Sequence, residues 1–338
     1  MQDIASEINK SHRELLFLII DTVKQKLRLR CCVVGEKLLR DARKWLAPPD
    51  PWENHNNARE SHYGDTSSWF VHGNAYGEWK SSAANSHLWI HGKRACLKIS
   101  CFQLLRRRFP FVAGAGKSIL WYINLFKFCP GAHGDYYSST IIEDIDRMRK
   151  SGLASSGFFY FDFRNDDKKN LHGLLSSLLV QFCHSSDCYS TILSNFYLEH
   201  ENGSRHPSDK ALIECLKRIL KHPGQAPVYI IIDALDECPN TSGMPTPREK
   251  VLKFVEEIVD LHLTNLHICI TSRPEADITI SLDPLPFNQI SLHTESGQLQ
   301  DIVDYIKFVV RTDSKIRRWR PADKELVVEV LTNKFDGM

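Results

Sequence analysis

Ala113-Gly114-Ala115-Gly116-Lys117-Ser118 carries the residue types that hold a phosphate. Its glycines let backbone N–H groups approach an anion. Its lysine adds a positive charge, and its serine hydroxyl suits a hard divalent cation. Asp233 begins a second chemical stretch, Asp233-Ala234-Leu235-Asp236-Glu237, directly after the apolar run Val228-Tyr229-Ile230-Ile231-Ile232. The run reads as a buried strand with Asp233 at its carboxyl end, where ligands bind in open α/β sheets. A carboxylate there suits Mg2+, which prefers oxygen donors. Asp236 and Glu237 follow where one of them can orient an attacking water. A third stretch, His267 to Pro274, ends an apolar run in Thr271-Ser272-Arg273. An arginine at that strand tip can read a terminal phosphate through charge-assisted hydrogen bonds.

The phosphate turn is incomplete as it stands. Phe111 occupies the place of the first glycine in G-x-x-x-x-G-K-S. That glycine stands upstream: Gly92-Lys93 joined to Ala113-Gly114-Ala115-Gly116-Lys117-Ser118 completes the pattern. Residues 94–112 therefore read as an insert. Residues 122–138 read as a second, because Cys129-Pro130-Gly131 would cut the helix that should follow Lys117. Without that segment Leu120, Ile141, Ile145 and Met148 fall on one helical stripe, and Gly152 stops the helix. Both inserts are expected to be non-native, as translated introns whose codons permit in-frame removal; the rival is an ordinary surface insertion.

These groups need a sheet to position them. Strand signals recur at Leu88–His91, Phe158–Phe161, Val228–Ile232, His267–Ile270 and Gln289–Leu292. Amphipathic helices are expected between them, for example at 171–183 and 249–262. That alternation implies a parallel sheet covered on both faces. Residues 1–44 read as helical, and Ala47-Pro48-Pro49-Asp50-Pro51 as a break. Residues 52–82 read as polar and irregular, with Trp69, Phe70, Tyr76 and Trp79 anchoring them to a neighbouring surface. After residue 297 helices are expected at 298–311 and 322–334.

The totals bound the class. The 338 residues are 42% hydrophobic and 25% charged, the mix of a soluble globular protein. No apolar run reaches the ~20 residues of a membrane helix, and no leader pattern opens the chain, so the expected location is cytoplasmic, with no membrane partner. The ten cysteines make no CxxC pair, which argues against zinc; Cys238 and Cys269 read as small buried hydrophobes. The net charge of +2 depends on one basic segment, 94–112, with Arg106-Arg107-Arg108. No basic face accompanies it elsewhere, so nucleic acid is not an expected partner. A small-molecule kinase is disfavoured by the few arginines between 164 and 226.

Together the motifs resemble the NACHT-type signal-transduction NTPases of fungi, the STAND class of P-loop NTPases, whose nucleotide module is also called nephrocystin-like. The matching stretches are 45–58, 64–80, Leu88-Trp89-Ile90-His91-Gly92-Lys93, Gly114–Ser118, 157–167, 228–240 and 266–275. The resemblance implies a P-loop three-layer α/β sandwich with a central parallel sheet and helical extensions at both ends. It implies a helical N-terminal region over 1–60, a nucleotide domain over 61–293 and a truncated helical lid from 294 to 338. It implies ATP or GTP with Mg2+, self-association or effector domains as partners, and slow, regulatory hydrolysis. Gly92, Lys93, Gly114, Ala115, Gly116, Lys117 and Ser118 would cradle the nucleotide as the Walker A element. Ser118 and Asp233, the latter in the Walker B element, would hold the metal. Asp236 and Glu237 would serve water, and Arg273 would sense the phosphate. The alternative is a non-catalytic interaction fragment, or a mis-spliced product, that binds no nucleotide.

Overall fold

The computed structural model describes residues 36–60, 68–81, 86–92, 134–184, 186–241, 243–292, 296–312, 316 and 319–335. Lys93, the GAGKS turn and residues 94–133 lie outside the described residues.

Five strands form the predicted sheet: β1 (Ser86–His91), β2 (Ser155–Tyr160), β3 (Val228–Asp233), β4 (Leu266–Ser272) and β5 (Phe287–Ser291). They pair in the order β2-β3-β4-β1-β5, all in parallel. β3 is an unbroken apolar run up to Asp233, because both of its faces are covered. In β3, Val228, Ile230 and Ile232 point into one core and Tyr229 and Ile231 into the other. Fully burying each such aliphatic side chain contributes about 1.5–3 kcal/mol. The fold is thus a three-layer α/β sandwich.

One layer holds α1 (36–46), α6 (Leu171–Cys183), α7 (Asp187–Glu199), α8 (Asp209–Leu220), α9 (Pro247–Val259) and α10 (Ala276–Leu282). Their starts are written locally. Asn170, Ser186 and Ser208 cap α6, α7 and α8, and Thr246 with Glu249 makes a capping box ahead of α9. The opposite layer holds α2 (Pro51–Glu60), α3 (Ser68–Val71), α4 (Asn74–Ser81) and α5 (Gly134–Lys150). The chain ends in α11 (Ser296–Thr312) and α12 (Pro321–Phe335).

Where they fall on described residues, the predicted helix boundaries hold to within a few residues. Residues 1–35 of the expected N-terminal helix lie outside the described residues, and the described parts of 52–82 are largely helical rather than irregular. The proline cluster ends α1 at residue 46 and starts α2, with Pro51 at its first position and the Asp50 carboxylate accepting from the Trp52 N–H at 2.9 Å. The polar sequence hides this helix because polar contacts help hold it: Glu53 and Asn54 hold the Lys168 ammonium at 2.7 and 2.6 Å. The aromatic anchors do dock. Phe70, Tyr76 and Trp79 are buried, the Trp79 indole donates to the Ile268 carbonyl at 3.1 Å, and the Tyr76 hydroxyl donates to Asp144 on α5 at 2.6 Å.

On α5, Ile141 and Ile145 are fully buried and Met148 packs beside them, as the stripe required. Gly152 follows at φ 72° and stops the helix. Of the second expected insert the structure describes residues 134–138. They form the first turn of α5, with Tyr137 and Ser138 buried. Cys269 is buried on β4, whereas Cys238 sits beyond β3 in a turn rather than on a strand. Burial pushes the Cys238 thiol up to about 12, so it packs as an inert small hydrophobe. Among the described residues no helix is long and apolar enough to cross a membrane.

His87 makes the fold acid-sensitive. It is buried on β1, and among the described residues neither ring nitrogen has a well-formed hydrogen bond. Burial lowers its pKa to about 4, the Ser86 carbonyl opposes this weakly, and His267 and His262 push the same way as burial. The folded pKa lies below the unfolded value of about 6.5. The contribution is therefore intact above that value and is lost as pH falls towards 4. We expect about 1 kcal/mol of stability to disappear between pH 6.5 and 5.5. Urea unfolding across that window checks it, and His87→Leu should flatten the slope.

Candidate functional site

All five strands point the same way, so their carboxyl ends share one rim of the sheet. The next described helix after β1, α5, lies on one face of the sheet, and the helix after β4, α10, lies on the other. In open α/β sheets, ligands usually bind at the rim between adjacent strands whose following helices lie on opposite faces.

Asp233 ends β3 on this rim and is fully buried. Thr271 on β4 holds it: the threonine hydroxyl donates to Asp233 Oδ1 and accepts from the Ala234 N–H at 3.0 Å. Ala234 takes a left-handed conformation (φ 53°, ψ 44°), which costs a residue with a Cβ about 1–2 kcal/mol. The Thr271 contact helps hold that conformation and turns the chain sharply into the 3₁₀ turn Leu235–Glu237. On β1, the buried Trp89 indole donates to Ser272 Oγ at 2.8 Å, tying β1 to β4 at the same rim. Register places Thr271 beside Ile90, so Asp233 lies two strand spacings from β1, about 10 Å.

The turn after β3 meets the end of β4. Asp236 Oδ1 accepts from the Arg273 backbone N–H at 3.0 Å, and Asp236 Oδ2 lies 3.2 Å from Arg273 Nε. Glu237 instead faces the loop after β2, accepting from the Phe163 N–H at 3.4 Å. In that loop Asp162 accepts from the Arg164 backbone and guanidinium, which hold its carboxyl below the usual carboxylate range against the opposing effect of burial.

Arg248 on α9 has no counterpart in the sequence reading. Its buried guanidinium donates to the carbonyls of Asp236 (2.6 Å) and Cys238 (2.8 Å) and to the carboxylates of Glu275 and Asp277. It thereby fixes the acidic turn to the start of α10. A single arginine after a proline gives little warning of this in the sequence, because its partners are 10–29 residues away. Thr271 was equally silent, since a threonine in a strand is ordinary.

Of the expected site residues, Asp233, Asp236, Glu237 and Arg273 therefore meet on one rim, and Gly92 follows the end of β1 there. Lys93, Gly114, Ala115, Gly116, Lys117 and Ser118 lie outside the described residues.

Residues 112–273 match the family model described as Nephrocystin 3, N-terminal. The nephrocystin-like segment begins just before the GAGKS turn and ends on Arg273. It spans β2, β3 and β4 with the whole acidic turn, whereas β1 and β5 lie outside it. No curated protein matches the chain.

Proposed function

We propose that the chain is a nucleotide-binding switch module of NACHT type, taking ATP or GTP with Mg2+ at the carboxyl rim of its sheet. The observation that carries this reading is the buried carboxylate of Asp233, one strand from Arg273 and two from β1, the strand whose chain continues towards GAGKS.

The donors present fit magnesium. Asp233 is a hard-oxygen donor with the Thr271 hydroxyl beside it. Among the described residues no group of three His, Cys, Asp or Glu could hold a metal. The protein would then supply one or two oxygens and leave the rest to water and phosphate, as Mg2+ favours. Ser118 and Asp233 would hold the ion, which when bound neutralises phosphate charge. Lys117 places its charge against the terminal phosphates, and the amides of Gly114–Ser118 surround them. Asp236 or Glu237 orients water. Arg273 reads the terminal phosphate. Binding energy goes into rearranging the helices that follow β5, with slow hydrolysis resetting them. Self-association or effector domains would receive the signal.

The separation of Gly92-Lys93 from Ala113 weakens the cradle, since the donors must converge to bind an anion. The test titrates fluorescent ATP and GTP, with Mg2+, into the full chain and into a form lacking 94–112, which leaves the buried Tyr137 in place. The shortened form should bind at least about tenfold tighter, the worth of one charge-assisted contact, and Lys117→Ala should abolish binding. Equal affinities would make the segment an ordinary loop. Binding by neither form would reject the reading and leave a non-catalytic interaction module.

A further inference from the structure

The acidic turn contains two carboxylates with different surroundings, and the difference separates their roles. Both oxygens of Asp236 face one residue: Oδ1 accepts from the Arg273 backbone N–H at 3.0 Å, and Oδ2 lies in an ion pair 3.2 Å from Arg273 Nε. The Asp236 side chain is 8% exposed and that of Arg273 is 33% exposed. A general base needs an accessible lone pair within reach of water, and Asp236 is poorly placed to offer one. Its backbone is also immobilised, because its carbonyl accepts from the buried Arg248 at 2.6 Å. Arg248 in turn is anchored by Glu275 and Asp277 beyond β4. The pairing thus sits in a closed frame, with the β3 turn and the β4 end each held twice.

The geometry also settles which part of Arg273 remains available. The ion pair with Asp236 lies on the Nε side of the guanidinium, and among the described residues the two terminal guanidinium nitrogens have no further partner. Those nitrogens form the fork edge that arginine uses to grip an oxyanion in two places. A guanidinium already held in an ion pair gives up less freedom when it binds such an anion, so more of each hydrogen bond is realised as affinity.

We infer that Asp236 is the positioning residue of Arg273 and that the pair sets preference for a nucleoside triphosphate over the diphosphate. The inference rests on the nucleotide reading above. It moves Asp236 from orienting water to orienting the arginine. Removing Asp236 frees the guanidinium to sample many rotamers, and the terminal phosphate loses a prepaid contact. The diphosphate, which lacks that phosphate, is unaffected.

The experiment measures Kd for Mg-ATP and Mg-ADP on the full chain and on Asp236→Ala, Asp236→Asn, Arg273→Ala and the double variant with both alanines. Thermal melts establish that each variant is folded. The ATP/ADP affinity ratio should fall about tenfold in Asp236→Ala, the scale of one charge-assisted hydrogen bond, while the ADP affinity stays within about twofold. Asp236→Asn keeps an acceptor for the backbone N–H and loses the ion pair, so its ratio should fall between the two. The double variant should be no worse than Arg273→Ala alone, because the two residues act as one unit. A ratio unchanged in Asp236→Ala overturns the inference. So does additive loss in the double variant, or loss of hydrolysis at an unchanged ratio, which would return Asp236 to the water. If the unaltered full chain and the form lacking 94–112 both bind neither nucleotide, the reading of the site falls, and the inference with it.

Discussion

Replacing Arg248 with alanine should lower the free energy of unfolding by about 3 kcal/mol, the lower end of the range for breaking a buried ion pair. The guanidinium is almost wholly enclosed and uses all its nitrogens on four residues. Without it the carbonyls of Asp236 and Cys238 lose their donor in a buried turn, and unpaired buried acceptors cost about 1–3 kcal/mol each. Glu275 and Asp277 are partly exposed and regain water, which keeps the loss from being larger. Arg248→Lys should recover less than half, since one ammonium cannot span two carbonyls and two carboxylates. Urea unfolding measures both variants. A loss below 1 kcal/mol in Arg248→Ala would mean that the turn stands without it. The nearby site should respond as well, because the Asp236 carbonyl is one of the groups released.

Gly173→Ala should destabilise by about 2–3 kcal/mol, the cost of forcing atoms into a packed site. Gly173 lies in the first turn of α6, and an added Cβ would stand 1.9 Å from the Asp167 carbonyl oxygen. That contact is with backbone, so no side-chain rotation relieves it. The Gly173 N–H also donates to the Asn170 cap at 2.9 Å, and moving the turn away would break it. Gly77→Ala provides the opposite control. Gly77 is exposed within α4, and nothing lies within 4 Å of an added Cβ there. It should stabilise by up to about 1 kcal/mol through helix propensity. Melting temperatures moving in opposite directions confirm that space, not residue type, decides the sign. A stable Gly173→Ala protein would show that the loop before α6 can yield.

The strands were legible because burial on both faces demands long apolar runs, which few other elements need. Asp233 was legible as the polar residue that closes such a run. α2 was not, because its helix is held by the Asp50 cap and by the Lys168 ammonium 115 residues from Glu53, neither visible in hydrophobic period. The aromatic anchors could be named, but not their partners: nothing local connects Trp79 to the Ile268 carbonyl. In the site, residue types marked where chemistry could happen. Which carboxylate pairs with Arg273, and what holds the turn, depended on contacts between strand ends that are distant in sequence.

The interior place of β1, between β4 and β5, has a consequence for synthesis. Both neighbours of this strand come late: Ser86 aligns with His267, and His87 with Phe287. At about 5–20 residues per second, its ridge of leucine, tryptophan and isoleucine waits on the order of 10–40 s for its first neighbour. Throughout that interval the nascent chain offers an apolar ribbon with both edges open, the form most prone to pair with another chain. Efficient production of this protein should therefore depend on a chaperone that shelters the ribosome-bound chain until β4 emerges.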